Sequence, residues 1–397
     1  MLAAAGSEAA LAFLEVGLVA LGLALLAHLA SRMGMTAVPL YLLAGLAFGE
    51  GGLAELDVST EFIELAAEIG VLLLLFTLGL EYNEAELTEG LRTGTRPGLV
   101  DMGLNAVPGV ALGLILGWDP LASVLLGGVT WISSSGVISK VLADLGRLAN
   151  RETPAVLNLL VIEDLAMAIY LPVVAALIVG GSLSGTLTSV AIALAAVAFI
   201  LVAALRWGAH LSRLLGGTSD ESLLLAVFGI TLVVAGAAQS VEVSGAVGAF
   251  LVGLALSGEV AERANRLIAP LRDLFAATFF VFFSFQIDPR DLLDTLGPAL
   301  ILAGVTVGTK VVTGWYAAGR FGAGDRGRVR AGTVLIARGE FSIVIAALGA
   351  GLADGAELGA LAAGYVLVTA IVGPLATRFS DQIPVPERLR SKRRALA

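Results

Sequence analysis

Two adjacent acids, Glu163 and Asp164, stand in the middle of LLVIEDLAMAIYLP (159–172), a run otherwise suited to lipid. Neighbouring positions on a helix point about 100° apart, so the two carboxylates cannot serve the same spot. Lys310, in the apolar run that contains Gly308-Thr309-Lys310, is the expected partner for Glu163, which leaves Asp164 to hold a cation or a proton. A third apolar run carries Arg338-Gly339-Glu340. Taken as ionised, these five groups are three acids and two bases, and one monovalent cation or one proton would supply the missing positive charge. A charge at a bilayer centre costs about 2.5 to 3.5 kcal/mol on insertion scales, so five of them are not incidental. Competition of proton and cation for one buried carboxylate, combined with alternating access, gives exchange. The competing reading is a structural Glu-Asp pair satisfied by Lys310 and capping groups.

The elements that position these groups follow from composition. Of the 397 residues, 57% are hydrophobic and 14% charged, with a mean hydropathy of +0.93, against roughly 25% charged in a soluble domain. The chain divides into stretches of the length that spans a hydrocarbon core, about 20 apolar residues each. This is the pattern of an all-α polytopic membrane protein with about thirteen transmembrane helices, among them 98–116, 121–143, 271–287, 297–319 and 328–351. Sorted onto alternate sides of that map, 21 of the 24 Lys and Arg fall on one side and only Arg290 on the other, with Lys310 and Arg338 inside spans. The positive-inside rule then predicts an outside N-terminus and a cytoplasmic C-terminus in a bacterial inner membrane. The start MLAAAGSEAA lacks the basic residues of a cleavable signal, so the first apolar run reads as a retained span.

The chain repeats itself. Leu43-x-Gly45-Leu46-Ala47 returns as Leu251-x-Gly253-Leu254-Ala255, Asn83-x-x-x-Leu87 as Asp288-x-x-x-Leu292, and Ala168-Ile169-x-x-Pro172 as Ala370-Ile371-x-x-Pro374. Seven spans separate equivalent helices, an odd number, so the second copy is expected to be inverted. One membrane domain over 1–397 is predicted: repeat one at about 10–180, a linker helix at about 185–207, repeat two at about 220–380 and a basic cytoplasmic tail at 381–397. At the positions of Glu163 and Asp164 the second copy has Tyr365 and Val366, so the acids stand outside the shared packing pattern.

Thr130-Trp131-Ile132-Ser133-Ser134-Ser135-Gly136 and its counterpart Ala337-Arg338-Gly339-Glu340-Phe341 are expected to unwind. Serine hydroxyls replace lost backbone hydrogen bonds, and an Arg-Gly-Glu does not fit an unbroken lipid-facing helix. Two crossed discontinuous helices would leave half-helix dipoles near the midplane, which Arg338 and Glu340 compensate. Thr130, Ser133 and Ser134 would add oxygen ligands to Asp164 and Glu163, a donor set suited to K+ or Na+. For the serines the alternative is close helix packing by small residues. For Arg338 and Glu340 the favoured reading is an internal ion pair that only holds the crossing together. Asp101 is expected near a span end, lining a vestibule or, the favoured reading, paired with a cytoplasmic arginine.

With no cysteine and two histidines, thiol chemistry and a transition-metal centre are not expected, and no nucleophile–base set suggests an enzyme. No cofactor is expected beyond the transported K+ or Na+ and H+. Nor is a nucleic-acid partner, since the lipid bilayer accounts for the basic tail RLRSKRR. A sodium-coupled symporter of a small organic anion, with Arg338 as its anion-binding charge, is the rival function.

The residues Gly79-Leu80-Glu81-Tyr82-Asn83, Ser133-Ser134-Ser135, Asn158 through Asp164 with Pro172, FFVFFSFQID (279–288) and Arg338-Gly339-Glu340-Phe341-Ser342 together resemble the monovalent cation:proton antiporters, most closely the Kef-like bacterial branch. The resemblance covers nearly the whole chain. It implies thirteen spans, a core with crossed broken helices moving like an elevator against a dimerisation scaffold, a homodimer, and Asp164 as the ion-carrying aspartate. Kef proteins usually have Gln before that Asp; with Glu163 and Lys310 this chain is in that respect more similar to sodium-transporting relatives. Kef proteins also usually continue into a nucleotide-binding domain, so gating here is expected from a separate cytoplasmic regulatory subunit if at all.

Overall fold

The computed structural model describes residues 2–33, 37–49, 60–80, 84–179, 212–240, 245–285 and 287–383, with isolated helical positions between 188 and 210. Most of the predicted linker helix at 185–207 and most of the tail therefore lie outside the described residues. So does Asn83, one anchor of the expected repeat.

Among the described residues every regular element is a helix: α1 (Leu2–Arg32), α2 (Val38–Phe48), α3 (Thr60–Leu80), α4 (Glu84–Leu116), α5 (Pro120–Trp131), α6 (Ser135–Asp144), α7 (Thr153–Val179), α8 (Asp220–Ser240), α9 (Gly245–Ala255), α10 (Gly258–Phe285), α11 (Pro289–Arg320), α12 (Asp325–Val334), α13 (Glu340–Leu348) and α14 (Gly355–Arg378), followed by a 3-10 turn at Ser380–Gln382. Seven of the spans are long and apolar enough to cross a membrane unaided. The chain is an all-helical multi-pass membrane protein.

Local chemistry sets several helix starts. Asp119 precedes Pro120 and accepts from the Leu121 amide at 2.8 Å, and Asp288 precedes Pro289 and accepts from the Arg290 amide at 2.8 Å. Each is an N-cap aspartate followed by a proline at the first helical position, where the missing N–H costs nothing. Two helices extend well beyond the stretches expected from hydropathy. α4 has 33 residues where 98–116 was anticipated, and α11 has 32 where 297–319 was. At 1.5 Å per residue each is about 50 Å long, more than the roughly 30 Å hydrocarbon core. Their polar first turns continue the helix past the apolar boundary that hydropathy detects.

Burial divides into three main clusters. The largest joins α2, α3, α5, α7, α9, α10, α11, α13 and α14. A second packs α3, α8, α9 and α10 together, and a third sets α6 and α7 against α11 and α12. Two glycine contacts bring backbones together: a Cβ on Gly79 would strike the Phe250 carbonyl, and one on Gly253 the Phe76 carbonyl, so α3 and α9 touch without side chains between them. Gly45 on α2 lies close against α10, where a Cβ would strike the Ser284 hydroxyl and the Val281 carbonyl.

At the arginine-rich end, Asp381 of the 3-10 turn is held by two arginines. Arg147 reaches it at 3.0 Å and Arg330 of α12 at 2.7 Å, while Arg330 also faces Glu152 at 3.5 Å. Burial pushes the Asp381 carboxyl up, but the Arg330 hydrogen bond and the charges of Arg330, Arg147 and Arg326 outweigh that and hold it below the usual carboxylate range.

Candidate functional site

Both anticipated interruptions are present, as unwound segments 132–134 between α5 and α6 and 335–339 between α12 and α13. They meet directly, the Ser134 amide donating to the Ala337 carbonyl at 3.0 Å. The crossing has two chemically opposite sides. α5 and α12 end there, presenting carbonyls; α6 and α13 begin there, presenting amides.

Arg338 occupies the carbonyl side. Its Nη2 and Nε donate to the Thr130 carbonyl at 2.8 and 3.2 Å, and its Nη1 to the Leu335 and Ile336 carbonyls at 2.8 and 3.0 Å. The guanidinium is fully buried and lies 6.0 Å from the Tyr365 ring centroid. Glu340 occupies the amide side, in the first turn of α13, where its Oε2 accepts from the Ser134 hydroxyl at 2.9 Å. That same hydroxyl oxygen accepts from the Val137 amide at 3.2 Å and so caps α6. An Arg338–Glu340 ion pair is not what holds the crossing: each side chain binds the half-helix ends of the other break.

Beside the crossing lies the charge cluster. Lys310 Nζ donates to Glu163 Oε1 at 2.9 Å and to Asp101 Oδ1 at 2.7 Å. Glu163 also accepts from the Ser133 amide and from the Ser133 hydroxyl at 3.1 Å. Asp101 accepts from Trp131 Nε1 at 2.9 Å and from Asn105 Nδ2 at 2.9 Å, and Asn105 is in turn held by Thr309 at 2.7 Å. Asp164 follows Glu163 on α7 and is 2% exposed.

Asp101 departs from expectation. It does not pair with a peripheral arginine; because α4 begins at Glu84, Asp101 sits about halfway along that helix rather than near its end, opposite Lys310. Sequence reasoning also passed over Trp131, Asn105 and Thr309. The available signal was Asp101-x-x-x-Asn105, two polar side chains on one face of an apolar helix, the spacing that lets the Asn amide bond the Asp carboxylate. Thr130 has its carbonyl taken by Arg338, while its hydroxyl donates to the Asn105 carbonyl at 2.8 Å. Tyr365, which the sequence pattern aligns with Glu163, is likewise buried against α11, its hydroxyl 2.9 Å from Thr306.

Two cavities lie at opposite ends of α13, the first of them at the crossing. One, about 550 Å³, is lined by Tyr41, Thr77, Gly136, Arg272, Asp273 and Glu340. The other, about 470 Å³, is lined by Glu64, Glu68, Phe279, Asp291, Ala346 and Gly355. Asp164 lines neither of these two. Among the described residues there is no His, Asp and Glu grouping able to hold a metal ion.

Broken helices whose ends are met by Arg338 and Glu340, next to a buried cluster of carboxylates and a lysine, are the architecture of a membrane transporter of small cations. Residues 17–379 match the family model described as sodium/hydrogen exchanger, transmembrane, and the chain belongs to that family. It is 34% identical over 378 residues to the K(+)/H(+) antiporter subunit KhtU of Bacillus subtilis, with 93% of each chain covered. It is 31% identical over 378 residues to the ammonium/H(+) antiporter subunit AmhT of Alkalihalophilus pseudofirmus, again with 93% of each covered. The high-affinity Na(+)/H(+) antiporter NhaS3 of Synechocystis is 30% identical over 79% of this chain and 70% of its own. In fold it is similar to the sodium proton antiporter MjNhaP1 of Methanocaldococcus jannaschii, at a TM-score of 0.71 and 17% identity over 94% of this chain and 99% of that one. The protein is a cation/proton antiporter, not an enzyme, and the organic-anion symporter is not favoured.

Proposed function

We propose that this antiporter exchanges K+ for H+ at Asp164, with Na+ or ammonium as the cations to test beside it. The observation that carries the assignment is the cluster at the crossing: Glu163 is engaged by Lys310 and Ser133, and the next residue, Asp164, is a second buried acid on the same helix. Glu163 and Lys310 act as a charge-setting pair, and Ser133 and Ser134, with the Thr130 hydroxyl, border the ion's place. Arg338 and Glu340 compensate the half-helix ends. Potassium is favoured over sodium because the relatives matched over 93% of their length are named for potassium and ammonium.

The two cavities at opposite ends of α13 support alternating access, with a cycle that opens one and then the other. An inverted duplication of about six helices per copy, within about thirteen spans, is supported by the matching roles of Gly45 of α2, packed against α10, and Gly253 of α9, packed against α3. We further infer an inner-membrane protein with its N-terminus outside and its C-terminus cytoplasmic, on the distribution of Lys and Arg, and a homodimer, on the resemblance to the monovalent cation:proton antiporters. A separate cytoplasmic regulatory subunit fits the word subunit in the names of both relatives.

The test is proton efflux from acid-loaded proteoliposomes on addition of K+, Na+ or ammonium, for the wild type and for Asp164→Asn. Cation-triggered dequenching of a pH dye that falls to the protein-free background in the variant is the expected result, and the cation giving half-maximal response at the lowest concentration names the cargo. An unchanged response in the variant removes Asp164 from the mechanism.

A further inference from the structure

We propose that Asp101 is a positioning residue that keeps Lys310 charged throughout the cycle, so that exchange moves one cation against one proton with no net charge. The proposal rests on the reading of Asp164 as carrier. Lys310 is fully buried and spends donors on two carboxylates from different helices, Asp101 of α4 at 2.7 Å and Glu163 of α7 at 2.9 Å. Neither carboxylate is loose. Asp101 is fixed by Trp131 Nε1 at 2.9 Å and Asn105 Nδ2 at 2.9 Å, and Glu163 by both the amide and the hydroxyl of Ser133.

Were Lys310 to give up its proton, two carboxylates within hydrogen-bond distance would be left in a dry site around a neutral amine, and an uncompensated buried charge is strongly unfavourable. Arg338 is no substitute, because its donors go to the carbonyls of both half-helices and a guanidinium does not deprotonate in proteins. Among the described residues the charges buried to 2% exposure or less are then Asp101, Glu163, Asp164, Lys310 and Arg338, which as ionised groups lack one positive charge. Glu340 leaves this set because it borders the cavity. One cation or one proton fills the deficit. On one side of the membrane Asp164 releases its proton to water and takes the cation; on the other it releases the cation and takes a proton from water. Each crossing carries the same charge.

The experiment locates the balance point of the full-length protein in proteoliposomes, the cation gradient at which an opposing pH gradient gives no net flux, with and without an imposed membrane potential. For the wild type a potential of about 59 mV, equivalent to tenfold for one charge, is expected to leave the balance unmoved. A tenfold displacement means one net charge per turnover and overturns the proposal while exchange itself stands; absence of any cation-dependent proton flux instead sinks the exchange reading. In Asp101→Asn, where Lys310 keeps a single carboxylate, the balance is expected to move with potential by up to tenfold, and an unmoved balance overturns the positioning role. An Asp101→Asn protein without flux is read through Lys310→Arg, whose permanent charge is expected to keep the wild-type balance; a balance that moves with potential in that variant overturns the proposal.

Discussion

The two helix breaks solve one problem with different residues. At 132–134 the unwound segment is Ile-Ser-Ser, without charge; at 335–339 it contains Arg338 and is followed at once by Glu340. Yet the charges of the second break serve the first as much as their own. Arg338 binds the Thr130 carbonyl of α5, and Glu340 binds the Ser134 hydroxyl at the start of α6. In exchange the first break offers its amide and hydroxyl at Ser133 to Glu163. The difference teaches a division of labour: the charged break holds the crossing, and the uncharged break, whose hydroxyl and amide at Ser133 are small and neutral, holds Glu163 of the charge cluster.

That division is most severely tested by Arg338→Ala. The change strands the Thr130, Leu335 and Ile336 carbonyls in a fully buried place, each costing about 1 to 3 kcal/mol. Loss of the folded, monodisperse protein in detergent is the expected outcome. Arg338→Lys, a point charge without the planar fork, is expected to fold with a lowered unfolding temperature. A well-behaved Arg338→Ala protein would mean that the second break does not hold the first.

Next in size is Gly339→Ala. A Cβ there would lie 2.6 Å from the Ser134 hydroxyl oxygen and 2.8 Å from the Ser134 Cβ, forcing the two breaks apart. Overpacking of this kind costs about 1 to 3 kcal/mol, and both unfolding temperature and transport rate should fall together. Ser133→Ala removes one of two hydrogen bonds from the uncharged break to Glu163 and keeps the backbone amide. About 1 kcal/mol is at stake, roughly a fivefold loss, and it should appear in cation-dependent exchange with little change in thermal unfolding. The reverse pattern, stability lost and exchange kept, would assign the serine to packing.

The smallest effect belongs to the clasp at the arginine-rich end, where Arg330 on α12 meets Asp381. The folded protein holds the Asp381 carboxyl below its ordinary range. The stability it contributes is therefore complete above about pH 4, the unperturbed aspartate value, and disappears as the pH drops through the lowered value. Asp381 is 38% exposed and screened, so Asp381→Asn should lower stability by less than about 1 kcal/mol at neutral pH. Thermal scans of both proteins should converge as the pH is lowered below that range; a constant gap would mean the carboxylate charge is not what matters.

Much of this was legible in the residues. The membrane class follows from hydropathy, and both breaks follow from polar residues that an unbroken lipid-facing helix does not tolerate. The Lys310–Glu163 pairing was legible because few buried charges were available to choose from. Asp101 was not, because its importance depends on where α4 starts. Hydropathy marks where the lipid begins but not where a helix begins, and the polar first turns of α4 carry it past the boundary. The partners of Arg338 were hidden for a different reason: they are backbone carbonyls, which no side-chain pattern announces.

The hydrogen bond between Arg338 and the Thr130 carbonyl joins residues 208 positions apart. During synthesis at about 5 to 20 residues per second, the end of α5 therefore waits about 10 to 40 seconds for its arginine to be made. For that interval the early half of the protein lies in the membrane with an unfinished helix end, and it reaches its mature form only after the later half has followed it in. Arg338 thus completes from the later half of the chain a helix end laid down in the earlier half.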